Sequence, residues 1–240
     1  MSEPAPMVTI RFSHVDAAGI VFYPRYFEML VRAFPEMAVA REHFCLETEF
    51  TRPNKLGDRM QLTAQATASG LTMRGIQNDE THFSVCLSAL ALDEKMPVLV
   101  PAFTAPPFTI HAVECGPDGH WHLPRYFEAI NRVVEQWFAA MQWPFSHLHS
   151  VRHEGVPTVR LDTSCRRLPC EGDELNFQLT PIKVSNRSIQ FESSLMQQGE
   201  CLIQSRQIVV YVEHFDGGIR KTEHAELSKE RKDLKRLLKD

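Results

Sequence analysis

The sequence predicts an α+β protein built from two copies of one domain, each with several strands and one long helix. The pentapeptide Pro-Arg-Tyr-Phe-Glu occurs twice, at Pro24–Glu28 and Pro124–Glu128, and the flanking Gly19 and Gly119 keep the same offset of 100 positions. Each pentapeptide opens a segment with helical periodicity, and strand-like alternation follows it. At 240 residues the chain has room for two domains that each bury a core.

A helix is expected to begin at each repeated proline, because proline suits the first helical position, where its missing N–H is not needed. In copy one, Phe27, Leu30 and Phe34 lie on one apolar helical face. Copy two continues this face as far as Met141. Pro35 is expected to shorten or kink the first helix.

Strand periodicity follows each helix, and a short strand is expected before it. The expected strands are 7–12, 59–67, 70–76 and 83–92 in copy one and 108–112, 175–179, 188–196 and 201–212 in copy two. Gly57-Asp58 and Gly172-Asp173 mark equivalent turns. These turns lie 115 positions apart rather than 100, so copy two contains about 15 additional residues. We place these residues around 146–159 and expect them to include an added strand.

These patterns divide the chain into a first domain at 1–103, a second domain at 104–215 and a charged tail at 216–240 that is expected to be helical. The join at Pro97–Pro107 is short and rich in proline, so the two copies are expected to pack together. Leucines of the tail are spaced for one helical face. This spacing leaves open a helix docked on the body, one paired with a second chain, or one exposed to solvent.

The composition argues against several classes of protein. A net charge of −4 gives no broad attraction to nucleic acid or to anionic membranes. No apolar run approaches the roughly 20 residues needed to span a bilayer, and Met1–Pro4 lacks the features of a signal peptide. We therefore expect a cytoplasmic protein with reduced thiols at its six cysteines. Their spacing matches no pattern of metal ligands, so neither a metal nor a cofactor is expected.

The loop before the first helix carries an acidic residue, Asp16, that copy two replaces by glycine. Asp16 is followed by Ala17-Ala18-Gly19-Ile20-Val21 and then by Pro24-Arg25-Tyr26. This segment resembles the start of hotdog-fold acyl-CoA thioesterases of the 4-hydroxybenzoyl-CoA thioesterase group, although Ser13-His14 stands where that family has Gly-Asp. The resemblance extends to Arg52–Asp58. It implies two tandem hotdog domains, each an antiparallel sheet wrapped around a long helix, packed as an intramolecular pseudo-dimer.

The resemblance implies hydrolysis of acyl-CoA thioesters, and aromatic acyl groups follow only from the family. It makes Asp16 the nucleophile or the general base, and it assigns the backbone N–H of Tyr23 to the thioester carbonyl. The residues support the second role, since helix N-terminal N–H groups are unpaired and carry positive partial charge, and Pro24 has no N–H to donate. An alternative reading of Asp16, as a loop residue that bonds its own backbone, stays open.

Further residues are candidates for substrate binding. In copy one they are His14, Gly19, Phe22 and Pro24. His14 is either a polar structural residue or a second base, and Gly19 suits a tight turn. In dimeric hotdog enzymes the pocket lies between subunits, so copy two is expected to wall it through 163–167 and 183–188. Candidates for the CoA phosphates are Arg166, Arg167, Lys183 and Arg187, with Arg52 and Lys55 from copy one.

Copy two lacks the Asp16 motif, so its loop is expected to hold a degenerate site or an altered one that uses Asp118, His120 or His122. The expected partner is a small-molecule acyl-CoA, and the expected assembly is a homodimer. Two other functions stay open. One is an acyl-CoA or metabolite-binding protein without turnover. The other is a hotdog hydratase or dehydratase, although no histidine follows Asp16 at that class's spacing. An acyl-carrier-protein thioesterase is a further variant.

Overall fold

A computed structural model describes residues 5–38, 42–91, 96–185, 187–215 and 218–221. The helices are α1 (Pro24–Ala33), α2 (Pro35–Ala38), α3 (Leu123–Ala140) and α4 (Phe145–Arg152). The strands of copy one are β1 (Met7–Thr9), β2 (Glu42–Phe50), β3 (Arg59–Thr67), β4 (Gly70–Gln77) and β5 (Glu80–Ala89). The strands that follow are β6 (Phe103–Thr104), β7 (Phe108–Thr109), β8 (Glu154–Gly155), β9 (Thr158–Arg167), β10 (Glu174–Val184), β11 (Ser188–Gln197), β12 (Glu200–Val210), β13 (Val212–Phe215) and β14 (Gly218–Lys221).

Both long helices begin where the repeated prolines predict. Pro24 is the first residue of α1 and Pro124 is the second residue of α3, positions at which a missing N–H breaks no helical hydrogen bond. α1 ends after 10 residues, and Phe34 is extended before Pro35, as a residue before proline prefers. The predicted shortening is confirmed, since α3, which meets no such proline, runs for 18 residues.

The two copies share one antiparallel sheet. Its strand order is β1-β3-β4-β5-β2-β9-β12-β11-β10-β6, with β7 also paired to β10. β2 of copy one pairs with β9 of copy two from Glu42↔Arg167 to Glu49↔Arg160. Main-chain hydrogen bonds along this seam therefore hold the copies together, and neither seam strand is left as an open edge.

Packing of α1 against α3 buries the repeated aromatic residues. Phe27 and Phe127 are fully buried, and their rings stack with centroids 3.8 Å apart. The buried Tyr26 hydroxyl donates to Asn54 Oδ1 at 2.9 Å, and Tyr126 is buried in the same place in copy two. The residues that the copies share thus build the core, by packing helix on sheet and helix on helix.

Most of the predicted strands are present, with shifted ends. β3 has the predicted bounds, and β4, β5, β10, β11 and β12 overlap the predicted ranges. β1 and β7 are shorter than predicted, because the chain turns into short 3₁₀ helices at Phe12–His14 and Ala112–Glu114. The two strands at the seam, β2 and β9, were not predicted at all. They escaped the pattern because the polar Thr48 and Thr163 occupy buried positions in them.

The additional residues of copy two include the predicted added strand, but most of them are helical. They comprise the longer α3, α4 and only the two-residue β8. β8 pairs with β13 in a small sheet of order β14-β13-β8. The tail predicted to be helical over 216–240 contains instead a strand at Gly218–Lys221, and the rest of its predicted helix, 222–240, lies outside the described residues. Of the helices in the described ranges, none is long and apolar enough to cross a membrane.

Candidate active site

The loop before α1 folds on itself and fixes the Asp16 carboxylate. The Asp16 N–H donates to the Ile20 carbonyl at 2.9 Å, and the Gly19 N–H donates to the Asp16 carbonyl at 3.0 Å. Gly19 has a φ of +74°, in the left-handed region that favours glycine. Asp16 Oδ1 accepts the Ala18 N–H at 2.8 Å and the Ile20 N–H at 3.4 Å. Asp16 does bond its own loop, and these bonds also hold its carboxylate in one orientation.

The first turn of α1 presents the Tyr23 N–H. The Phe22 N–H donates to the His14 carbonyl at 3.0 Å, and Pro24 has no N–H. For the Tyr23 N–H the described part of the chain supplies no acceptor. Tyr23 has helical dihedral angles, with φ −52° and ψ −34°, so its N–H belongs to the positive end of the helix. Its buried hydroxyl donates to the Phe127 carbonyl of copy two at 3.1 Å.

Asp16 and Tyr23 line one cavity of about 490 Å³ that lies between the two copies. Copy one contributes most of the loop at 16–23 and residues 50–53. Copy two contributes parts of α3 and α4, residues 155–159 and the start of β13. The lining is mostly apolar. Copy two therefore walls the cavity, but through segments other than 163–167 and 183–188.

Copy two places a second carboxylate in the same cavity. Glu135 of α3 lines it, and Asn131 Nδ2, one turn earlier, donates to Glu135 Oε1 at 2.6 Å. Although the Glu135 side chain is accessible to solvent, burial by its surroundings raises its pKa, against the opposing effect of the Asn131 bond. The pKa of Tyr23 is raised by burial and further by the Glu135 charge.

Sequence reasoning missed Glu135, Asn131 and a further polar residue that copy two contributes, His149 of α4. An Asn and a Glu four positions apart on a helix are typical of a solvent-exposed face. Only the packing of α3 beside α1 turns that face toward the Asp16 loop. The sequence therefore contains the polar pair, but it does not indicate that the pair lines the cavity.

The other loop candidates fall in different places. Phe22 lines the Asp16 cavity, whereas Gly19 and Pro24 shape the turn and the helix start beside it. His14 lines a second cavity, of about 590 Å³, on the outward face of α1. Its Nδ1 accepts the Arg11 N–H at 3.1 Å. His14 is thus not brought together with Asp16.

Arg166 and Arg167, assigned from the sequence to the CoA phosphates, lie at the end of β9. Arg166 pairs with Glu200 at 3.9 Å. Arg167 pairs with Asp173 at 3.3 Å and also donates to Gln197. Neither arginine is among the described residues that line the Asp16 cavity. Their side chains serve contacts between strands and turns of copy two.

Lys183 and Arg187 are also absent from the described lining of this cavity. Lys183 lies near the end of β10, and Arg187 lies in the turn before β11, where its carbonyl accepts the Tyr211 N–H at 2.9 Å. Arg52 is the basic candidate that does line the cavity, and it pairs with the exposed Glu80 at 3.0 Å. The geometry therefore favours Arg52 over the four basic residues of copy two.

The equivalent loop of copy two keeps the backbone and changes the side chains. Gly119 has a φ of +77°, and its N–H donates to the Gly116 carbonyl at 3.0 Å, as in copy one. Asp118 Oδ2 lies 3.4 Å from His120 Nδ1. A Cβ on Gly116 would meet Asp118 Oδ1 at 2.8 Å. Asp118 thus lies next to Gly116, the residue that is equivalent to Asp16. His122 precedes α3 as its N-cap residue.

Comparison with solved structures identifies the fold. An acyl-ACP thioesterase from Bacteroides thetaiotaomicron has a TM-score of 0.56 at 15% identity, over 86% of this chain and 96% of that one. A 12:0-ACP thioesterase from Umbellularia californica has a TM-score of 0.61 at 12% identity, over 85% and 92%. A thioesterase-superfamily protein from Jannaschia sp. CCS1 has a TM-score of 0.50 at 16% identity, over 61% and 96%. No family model and no curated protein sequence matches this chain.

These likenesses, together with the continuous sheet and the paired helices, define a tandem hotdog protein. The fold predicted from the repeat and the loop motif is therefore confirmed. The narrower 4-hydroxybenzoyl-CoA thioesterase group has support only in the loop motif.

Proposed function

We propose that the protein hydrolyses acyl thioesters in the cavity between its two copies. The observation that carries this proposal is that Asp16 and Tyr23 line the same mostly apolar cavity. The Asp16 carboxylate is held by its own loop, and the helix N-terminal N–H of Tyr23 has no acceptor among the described residues. Thioester hydrolysis requires these two groups, a nucleophile or base and a donor to the oxyanion. Three structural neighbours are described as thioesterases, which supports the same chemistry.

The proposed reaction begins with attack on the thioester carbonyl carbon. Asp16 either takes a proton from the attacking water or attacks directly and forms an acyl anhydride that water then hydrolyses. In both routes negative charge develops on the carbonyl oxygen, which accepts the Tyr23 N–H at the positive end of α1. The C–S bond then breaks and the thiolate leaves. A single turnover in ¹⁸O-labelled water tests the anhydride route, since the label enters the Asp16 carboxylate only when an anhydride forms and water attacks its aspartyl carbonyl.

Glu135 is the second proton acceptor of the proposed site. A carboxylate with a raised pKa is a stronger base than an ordinary one. Asn131 orients it, and its location on α3 makes the site a composite of both copies. Phe22 lines the copy-one wall, Gly19 permits the turn that carries Asp16, and Arg52 takes the role of phosphate contact.

The proposed substrate is an acyl-CoA or an acyl carrier protein thioester with an apolar acyl group. The cavity volume of about 490 Å³ falls within the range of small-molecule sites, and its apolar lining suits an aliphatic or an aromatic chain. The names of two structural neighbours specify acyl-ACP substrates. CoA and carrier protein therefore both belong among the carriers to test. The proposed assembly remains a homodimer.

A substrate panel tests this function. Release of free thiol is measured with benzoyl-, phenylacetyl-, short aliphatic and long aliphatic CoA esters and with dodecanoyl-ACP. The proposal expects turnover of at least one ester, with saturation at micromolar to millimolar concentration. Tight binding of these esters with no turnover of any of them would contradict it and would favour a non-catalytic binding protein.

A further inference from the structure

The second cavity, of about 590 Å³, adjoins the Asp16 loop and collects positive charge. It is lined by β1, by the 3₁₀ turn that follows it and by the outward face of α1. Three arginines, Arg11, Arg25 and Arg32, line it together with His14 and Glu28. Its apolar wall includes Met7, Val8 and Met29.

Two of the three arginines have no charged partner among the described residues. Arg25 pairs with Glu28 and, across the two copies, with Glu128 at 2.8 Å. Arg11 and Arg32 are exposed, and within the described ranges neither guanidinium has a hydrogen bond or an ion pair. The cavity therefore offers two planar donor groups to a ligand.

The pKa of His14 is sensitive to the charges that line this cavity, and its ring adds a hydrogen-bond donor. Burial lowers its pKa, Glu28 opposes this effect, and the positive charges of Arg11, Arg25 and Arg32 lower the pKa further. The ring is therefore neutral at pH 7. Because Nδ1 accepts the Arg11 N–H, the proton of the neutral ring lies on Nε2, which is left as a donor.

The sequence repeat supplies an internal comparison. In copy two the same backbone bond is made by different residues, since the His111 N–H donates to Glu114 Oε2 at 3.1 Å. A glutamate can therefore replace the histidine without loss of this turn. Five charged or titratable residues of the cavity have an equivalent in copy two. With histidine counted as neutral, their net charge is +2 in copy one and zero in copy two. The residues are Arg11, His14, Arg25, Glu28 and Arg32 in copy one and His111, Glu114, Arg125, Glu128 and Arg132 in copy two. Copy one is thus cationic where the fold does not require it.

We propose that this cavity binds a phosphate group carried on an apolar or aromatic body, as in a nucleotide. Guanidinium groups match phosphate oxygens with two parallel N–H donors, and the His14 Nε2–H adds a third donor group. The wall of Met7, Val8 and Met29 covers the body of the ligand. A volume of about 590 Å³ suits a molecule of this size. This inference stands independently of the proposed hydrolysis at Asp16.

Calorimetric titration with adenosine 3′,5′-bisphosphate tests the proposal. The informative variant is His14→Glu, because Glu114 shows that glutamate makes the same backbone bond in copy two. Its new negative charge lies beside the phosphate and is expected to weaken binding about tenfold or more. Arg32→Gln is expected to weaken binding as well. The matched controls in copy two, Glu114→His and Arg132→Gln, are expected to change the dissociation constant less than twofold.

An unchanged affinity in His14→Glu, with an unchanged melting temperature, would overturn the proposal. So would an absence of heat with adenosine 3′,5′-bisphosphate, AMP and inorganic phosphate in the wild type. If His14→Glu also raises KM for an acyl-CoA ester while kcat stays constant, the phosphate belongs to the coenzyme. If KM does not change while bisphosphate binding is lost, the cavity is a separate nucleotide site. Asp16→Asn retains bisphosphate binding in both cases, which separates this inference from the proposed function.

Discussion

Tyr23 is assigned two separable roles, and Tyr23→Phe separates them. The proposed chemistry uses its backbone N–H, whereas its hydroxyl serves stability. The buried hydroxyl donates to the Phe127 carbonyl at 3.1 Å. Phe127 lies inside α3, so its carbonyl keeps a helical N–H donor after the substitution. The cost is therefore that of one net hydrogen bond, about 1 kcal/mol. For a chain of this size that corresponds to a fall in Tm of about 2–4 °C.

The assay pairs a urea unfolding curve with kcat and KM for the best ester of the panel. Tyr23→Phe retains the backbone N–H, so kcat is expected to stay within about threefold of the wild type while the unfolding midpoint falls. A loss of kcat of about 100-fold at unchanged stability would refute the reasoning. That result would move the catalytic role from the backbone to the hydroxyl.

Three further outcomes are expected. If Glu135 acts as the second proton acceptor beside Asp16, activity should increase with pH through a value above 4.5, because the pKa of Glu135 is raised above 4.5. The pH–rate profile of Glu135→Gln should lack this limb, and an identical limb would exclude Glu135 from proton transfer. Burial opposes the shift, but hydrogen bonds from a backbone N–H and the Gln197 amide hold the pKa of Asp173 below 3.8. The stabilisation by ionised Asp173 is therefore present above pH 3.8 and is lost as pH falls through the folded-state pKa. Asp173→Asn should lower the free energy of unfolding by about 1–3 kcal/mol at pH 7 and by less at pH 3, as measured by denaturant unfolding. Equal losses at both pH values would contradict this reasoning. Phe27→Ala should cost about 3–5 kcal/mol by the same method, whereas Phe12→Ala, 82% exposed, should change stability by less than about 0.5 kcal/mol.

The features that were predicted from the sequence are those with local physical causes. Pro24 and Pro124 fix helix starts because their rings suit the first turn, and Pro35 ends α1 for the opposite reason. Gly57 and Gly172 have φ values of +88° and +86°, so the turns they marked are real ones. The repeat then extends each local inference to a second place in the chain.

The features that were missed depend on the partner across the fold. β2 and β9 each bury a threonine at the seam, Thr48 opposite Leu161 and Thr163 opposite Leu46, so their hydrophobic alternation is weak. Arg166 and Arg167 were predicted as phosphate ligands, but they form ion pairs with Glu200 and Asp173 of copy two. Glu135 reads as a solvent-exposed helix residue until α3 is packed against the Asp16 loop. Sequence patterns specify which face of an element is apolar, and they do not specify what covers its polar face.

The central claim is that each chain holds one hydrolytic site, based on Asp16 and completed by copy two. The direct test compares kcat/KM of Asp16→Asn with that of Asp118→Asn, the acidic residue of the equivalent loop, on one acyl thioester. The account predicts a loss of about 100-fold or more for Asp16→Asn and a change of less than about threefold for Asp118→Asn, both with wild-type melting curves. Full activity in Asp16→Asn, or an equal loss in both variants, would contradict it.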